Sequence, residues 1–543
     1  MSRLRKLSAA PLPRACMREG VVIRPLPLRG ARPSRTKPRR MSATRRIMSY
    51  KALDTIYSKR NRVFILPNVV TGPEVILPMT QIRWLLDQPD EVLNQNEVNR
   101  HFLHADRTML HKNVIRDTVH GHVIRRELTK ELDVYCNDIV EEIDHALTVN
   151  WGTNPNAWKE VAVYDTMLDV ISRISNRVLV GDPLCRNKEY LKRTSTFSRG
   201  VVITAGLMNL TPAILQPLLC PFIMAYDTYQ YWKITKFIFP IVKKRILKFR
   251  PGLDYKKPDY SEHNDYIQWA LHDAFSHDDP QERTPQMITK RLSVLSFAAI
   301  QSSVITITNA LFDIASSPSC ADIQQSLRDE VKTVTASQPS EEWTRANLAK
   351  MHRLDSALRE SMRLWGFISR GVMKMVVKRE GVTIPSGEHL PYGSKVGVTA
   401  YGPHHDESIY PQAFKYDAFR FSRAIEDPAL FENMFGSQDD APKAPTMVTS
   451  NDNFMAFSHG RHACPGRFFA ANQLKLLLAA ITTKYEIEPM AERPENPWLN
   501  NTVGPPIWEK MRVRRRAETV ARPVASTYPH CGAKGLHAHG RDP

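Results

Sequence analysis

One cysteine constrains this chain more tightly than any other residue. Residues 454–470 read FMAFSHGRHACPGRFFA, with Cys464 set before Pro465 and Gly466. An apolar run from Phe468 to Ile481 follows and has helical character. Proline is favoured in the first turn of a helix, so Cys464 is expected at a helix N-terminus. Backbone N–H groups and the positive end of the helix dipole stabilise a thiolate there. Arg461 adds positive charge, and Gly460 and Gly466 allow the backbone to approach something bulky and flat. A thiolate in such a loop suits iron. On the residues alone two other readings stay open. Cys464 can be a buried structural cysteine. Alternatively, His459, His462 and Cys464 can hold zinc, though that run is tight, supplies three ligands and has no second cluster to complete it.

The charge of the chain is concentrated at its ends. The formal net charge is +19, of which residues 1–50 carry +13 and residues 510–543 carry +6, leaving 51–509 neutral. Nucleic-acid binding needs a basic stripe on a folded surface, so a neutral body argues against it. The N-terminal segment is rich in Arg, Pro and Ser and has one acid, Glu19. That composition suits a mitochondrial presequence. Pro11, Pro13, Pro25, Pro27, Pro33 and Pro38 disfavour a long amphipathic helix, so a disordered basic leader is the plainer reading. No N-terminal apolar span is visible in it. The seven cysteines are odd in number, widely spaced and without a CxxC pair, which suits a reducing compartment better than a disulfide scaffold.

The body reads as mostly helical. Val63–Leu66 and Val75–Leu77, split by Pro67, Gly72 and Pro73, predict a β-hairpin. Apolar residues at helical spacing fill Arg125–Leu147, Leu168–Val180 and Ser340–Leu364. Strands and helices do not alternate, so a doubly wound sheet is not indicated. Val201–Tyr226 holds no charge. Its prolines predict two short helices joined by an apolar loop rather than one span. Such a loop serves as a lid, a membrane contact or plain core packing.

The segment Phe457-Ser-His-Gly460-Arg461-His462-Ala-Cys464-Pro-Gly466 resembles the haem-binding signature of the cytochrome P-450 monooxygenases, F-x-x-G-x-[RH]-x-C-x-G. Arg461 falls on a spacer position and His462 fills the Arg/His slot. Leu358–Arg363 carries an E-x-x-R as Glu360 and Arg363, and Phe414–Phe421 (FKYDAFRF) resembles the downstream segment that supplies a third member, Arg420. Ser296–Asp313 resembles the long helix that crosses the oxygen-binding face, with Ala298 and Ala299 giving room for dioxygen. Gln301 and Ser302 stand where the family has an acid–alcohol pair, and Gln301 cannot carry protons as a carboxylate does.

The resemblance covers residues 50–516. It implies a single large domain, mainly α with small β-sheets, between a basic leader (1–49) and a disordered tail (517–543). It implies haem b, with iron ligated by Cys464 and the cofactor further held by Phe457, His462, Arg461, Arg370 and Arg126. Arg126 stands four residues after His122, the spacing of the family's W-x-x-x-R motif, and Arg125 competes with it. It implies an NADPH-dependent reductase, dioxygen and an apolar substrate, such as a terpenoid or polyketide of fungal secondary metabolism. The local similarity is to fungal members resembling diterpene oxidases. Substrate is expected against Ala298, Ala299, the Phe367–Met375 segment, Val201–Tyr226 and Val503–Trp508. By resemblance the protein belongs at the endoplasmic reticulum membrane, with the mitochondrion as the alternative. Two rival readings follow from the same residues: a haem-thiolate isomerase or dehydratase that needs no reductase, and a non-enzymatic adaptor acting through its basic tails.

Overall fold

The computed structural model describes residues 61–66, 72–212, 214–249, 260–277, 279–337, 342–366, 369–425, 427–435, 445–499 and 502–517. The basic leader 1–49 lies outside the described residues, as does the tail beyond residue 517. The principal helices are α1 (Gln95–Leu103), α2 (Thr129–Trp151), α3 (Val163–Val180), α4 (Lys188–Leu210), α5 (Gln216–Ile246), α6 (Tyr266–Ser276), α7 (Pro285–Ala315), α8 (Cys320–Ala336), α9 (His352–Trp365) and α10 (Arg467–Lys484). The strands are β1 (Phe64–Leu66), β2 (Glu74–Ile76), β3 (Leu93–Asn94), β4 (Lys159–Ala162), β5 (Arg370–Val376), β6 (Val382–Thr383), β7 (His389–Leu390), β8 (Lys395–Thr399), β9 (Tyr485–Ile487), β10 (Trp498–Leu499), β11 (Thr502–Val503) and β12 (Lys510–Arg515).

The predicted hairpin forms, with Ile65 opposite Val75 in an antiparallel pair. It joins a five-stranded sheet in the order β1-β2-β8-β5-β3, in which β2 and β8 run parallel. A three-stranded sheet (β4-β12-β9) and two strand pairs complete the β content. The fold is therefore mainly helical with small sheets, as expected.

Helix α7 is the axis of the helical core. Thr284 caps it by accepting the Met287 N–H, and Pro285 occupies its first turn. No glycine or further proline interrupts the next thirty residues. Among the described residues it is the one helix long and apolar enough to cross a membrane, yet it packs against α3, α4, α5 and α9 inside the core. Burial on several sides explains its hydrophobicity.

The predicted helix over Ser340–Leu364 is broken instead. A short turn, Arg345–Ala349, is separated from α9 by Lys350 and Met351. The start of α9 is capped from another helix: the Glu330 carboxylate of α8 accepts the N–H groups of Arg353 and Leu354 at 2.7 and 3.0 Å. A cap from 23 residues away leaves no local sequence signal.

The charge-free stretch Val201–Tyr226 folds as two helices, longer than expected. Pro217 lies in the first turn of α5, where a missing N–H costs nothing, so it starts the helix. The outward side of this pair leaves Leu207, Leu210, Leu218, Phe222 and the intervening Ile214 open, with Ile214 86% and Phe222 76% exposed. The inward side is fastened by one acid. Thr204 of α4 donates to the buried Asp227 of α5. Gly200 makes this approach possible, because a Cβ there would lie 2.0 Å from Asp227 Oδ1.

Burial pushes the Asp227 carboxyl above its usual value, and the Thr204 bond opposes this in part. The folded state therefore favours the neutral acid. That contribution is complete below the ordinary Asp range and is lost as pH rises through the raised value. Asp227→Asn keeps the acceptor and removes the charge. It is expected to raise the midpoint of urea unfolding at pH 8 by the equivalent of about 1 kcal/mol, and to lose that advantage near pH 4.

Candidate functional site

The Cys464 loop is built by backbone turns. Ser458 and Gly460 both have positive φ, 62° and 75°. A side chain at Gly460 would also meet Leu86, 2.9 Å from a Cβ. The Cys464 N–H donates to the Phe457 carbonyl at 2.9 Å, closing the loop on itself. Pro465 is not in the first helical turn, as the sequence suggested. Gly466 is the cap and α10 begins at Arg467. The loop favours a thiolate less than the sequence suggested, because burial outweighs its donors and the thiol is raised overall. Cys464 is half-buried, and burial pushes its thiol up, while the N–H groups of Gly466 and Arg467 and the Arg467 charge favour the thiolate. Arg467, missed in the sequence reading, supplies the charge assigned there to Arg461.

The histidines of the loop turn to separate partners. His459 Nδ1 lies 2.9 Å from Ser450 Oγ, and His462 Nε2 lies 2.8 Å from Asp90. Arg461 donates to Asp90 at 2.9 Å and to the Gln88 carbonyl at 2.6 Å. This arrangement does not gather His459, His462 and Cys464 around one metal ion.

Beneath the loop lies a buried polar network. Glu360 and Arg363 share a face of α9, as their spacing requires. Arg363 makes two bonds to the Glu360 carboxylate, both at 2.8 Å, and Arg420 donates to it at 2.9 Å. The two guanidiniums then spread outward. Arg363 donates to the His404 and Ala413 carbonyls, and Arg420 to those of Pro411, Gln412 and Lys415. His404 carries the network to the cysteine segment, because its Nε2 accepts the Met455 N–H at 3.1 Å. Burial and the neighbouring cations hold His404 far below its usual value, so it stays neutral and can accept. Arg359, next to Glu360, is caged by Phe454, Phe421 and Phe435 at 4.0, 4.7 and 5.1 Å. Neither His404 nor Arg359 stood out in the sequence, since both lie far from Cys464 along the chain.

Helix α7 packs against α10, the helix that follows Cys464. Ala298 is exposed in the middle of this otherwise buried helix, and Ala299, Ser302, Ile305 and Thr306 are half-buried. Their spacing of three and four puts them on one stripe. Ser303, beside the stripe, accepts from Gln473 of α10 at 2.6 Å, which holds α10 against α7. The core thus keeps an open face of mostly small side chains on the helix that packs against α10. These residues fit a flat group bound through Cys464.

The remaining expectations fare unequally. Ser302 lies on the open stripe and donates to the Ala298 carbonyl at 2.9 Å. Gln301 turns instead to α3, where its Oε1 accepts from the Tyr164 hydroxyl at 3.3 Å. The sequence placed four bases on the cofactor, and the structure gives each a carboxylate. Arg370 is buried and bonds Glu74 at 2.6 Å. Arg126 is half-exposed and bonds Glu127 and Asp273. Arg461 and His462 share Asp90. Glu74, Asp90 and Asp273 are distant in sequence and brought there by folding, whereas Glu127 adjoins Arg126. Phe457 is partly buried against the core. Phe367 and Ile368 of the expected substrate segment lie outside the described residues.

Comparison with known proteins gives a consistent result. A family model described as Cytochrome P450 matches residues 80–507. The chain is 30% identical over 474 residues to the cytochrome P450 monooxygenase gloP of Glarea lozoyensis, covering 85% of each protein. It is 33% identical over 408 residues to cytochrome P450 monooxygenase 151 of Postia placenta, covering 74% of this chain and 76% of that protein. The retinoic acid-bound cyanobacterial CYP120A1 shares the fold, with a TM-score of 0.57 at 17% identity over 82% of this chain and 89% of that one.

Removing one member of a buried charge network strands its partners, at a cost of about 3–5 kcal/mol. Glu360→Ala is therefore expected to yield protein with little or no bound haem, read from the Soret absorbance per mole of chain. Normal loading in that variant would refute a role for Glu360 in shaping the cofactor site.

Proposed function

The chain belongs to the cytochrome P450 family, and from that premise we propose that Cys464 is the thiolate ligand of its haem iron in a monooxygenase domain spanning 50–516. Family and fold imply a cysteine-ligated haem, and the chain is an oxidoreductase. When bound, the haem supplies oxygen activation, and thiolate donation favours cleavage of the O–O bond. The protein's part is to hold charge, room and protons in place. The Gly466 and Arg467 N–H groups and the Arg467 guanidinium are placed to favour negative charge on the Cys464 sulfur, against the burial that raises its thiol. Ala298 and Ala299 keep side-chain bulk off the open face of α7. Ser302 and Thr306 are the hydroxyls on that face, and Ser302 holds a proton there, taking it in turn from solvent. Gln301, bonded to Tyr164, stays out of this transfer.

The substrate we propose is an apolar small molecule, a terpenoid or polyketide of fungal secondary metabolism, oxidised with electrons from an NADPH-dependent reductase. The stripe of α7 supports that reading, since no charged group lines it and its polar groups are the small hydroxyls of Ser302 and Thr306. We further propose that the protein rests on a membrane through the exposed apolar side of α4 and α5, where Ile214 and Phe222 project. That contact suits the endoplasmic reticulum placement that the family resemblance suggests.

The observation that carries the reading is the pairing of a half-open Cys464, braced by N–H groups, with the open stripe of small residues on α7. Two measurements test it together. The reduced protein with carbon monoxide should show a red-shifted Soret band, lost in Cys464→Ser. Turnover with NADPH, a reductase and heavy-isotope dioxygen should place one labelled oxygen atom in the product. Product formed without reductase, or without label, would favour the isomerase or dehydratase reading instead.

A further inference from the structure

A groove of about 860 Å³ lies away from the Cys464 loop, between the turn Ala105–Thr108 and α5. Pro217, Cys220, Pro221, Met224 and Trp232 line it, and Arg107 is its one charged lining residue. Arg107 is half-buried and directs its Nη1 at Cys220 Sγ. Among the described residues no carboxylate pairs with it. The adjacent acid, Asp106, is held by Arg100. A guanidinium in apolar surroundings is costly without a counter-charge, and a ligand that brings one offsets that cost. The planar fork of arginine matches a carboxylate through two parallel bonds. The remaining walls offer hydrocarbon, sulfur and aromatic surface.

We propose that this groove binds an apolar carboxylic acid, with the carboxylate on Arg107 and the hydrocarbon body along α5. The groove runs beside the exposed Leu218 and Phe222 of the same helix, so one face of α5 meets both lipid-soluble molecules and the cation that selects the acids among them. This site does not depend on the haem assignment.

Equilibrium dialysis of the haem-loaded full chain at pH 8 tests it, with lauric acid and 1-dodecanol as probes below their aggregation limits. The acid should bind about tenfold tighter than the alcohol, or more. In Arg107→Gln the two affinities should converge, and Arg107→Lys should restore part of the preference, because the charge returns without the fork. Met224→Trp, which fills the groove and spares the charge, should weaken both probes. The Soret absorbance of each variant reports that it is folded. Equal binding of acid and alcohol by the unaltered protein would overturn the proposal. So would a preference that survives Arg107→Gln, or displacement of the acid by a short-chain phosphatidylcholine at equal concentration, which would mark a lipid-headgroup site.

Discussion

The carboxylate of Glu360, buried between two arginines, is the interaction on which the geometry of the cysteine loop depends. An ion pair without access to water is worth little for stability by itself, because desolvation consumes most of its Coulomb gain. Its value here is geometric. Arg363 makes a two-bond fork toward Glu360 and Arg420 a single bond, and both spend their other N–H groups on backbone carbonyls between His404 and Lys415. A segment with little regular structure is thereby given one position relative to α9. His404 then passes that position to Met455, nine residues before the cysteine. The Tyr410 hydroxyl, bonded to the Asn453 carbonyl at 3.0 Å, makes the same link one residue pair away.

Electrostatics around the sulfur follow from this placement. Burial alone disfavours a thiolate, so the loop must return the charge stabilisation that water would have given. Two N–H groups at the entry of α10 and the Arg467 side chain return part of it, less than burial removes. Arg461 and His462 are nearer in sequence to what the motif suggests, yet Asp90 engages both. Arg359 contributes differently. Among the described residues no carboxylate bonds its guanidinium, and burial lowers it to about 10, so it remains a cation at neutral pH. Three phenylalanine rings, Phe454 among them, supply the compensating negative faces. The start of the cysteine segment is therefore held by a cation–π cage as well as by hydrogen bonds.

These particulars show what the sequence could reveal. Motifs whose members are close in the chain were legible: the cysteine loop, the pair Glu360 and Arg363, the hairpin, the long helix α7. Arg420 was legible only through family resemblance, because nothing local ties it to Glu360. The partners supplied by distant acids were not legible. Glu74 for Arg370, Asp90 for His462, Asp273 for Arg126 and Glu330 at the start of α9 all act across elements that folding alone brings together. Helical phase settled the remaining question on α7. Gln301 and Ser302 are adjacent in sequence, but about 100° apart around the helix, so one faces Tyr164 and the other the open stripe.

The pair α4 and α5 shows how polar and apolar demands divide along a helix. Its inner side must be dry, and there Asp227 is tolerated because Thr204 bonds it and Gly200 gives it room. Its outer side carries large apolar residues that monomeric proteins rarely leave in water. A lipid surface or a lipophilic ligand removes that cost, whereas tighter internal packing cannot reach those residues. Pro217 fits the same logic, whereas Pro221 lies inside α5. Pro217 sets the start of α5 just after the exposed turn around Ile214, so the chain reverses direction where its apolar surface is greatest. Sequence hydrophobicity over Val201–Tyr226 therefore records two different surfaces, a packed inner face and an exposed apolar one.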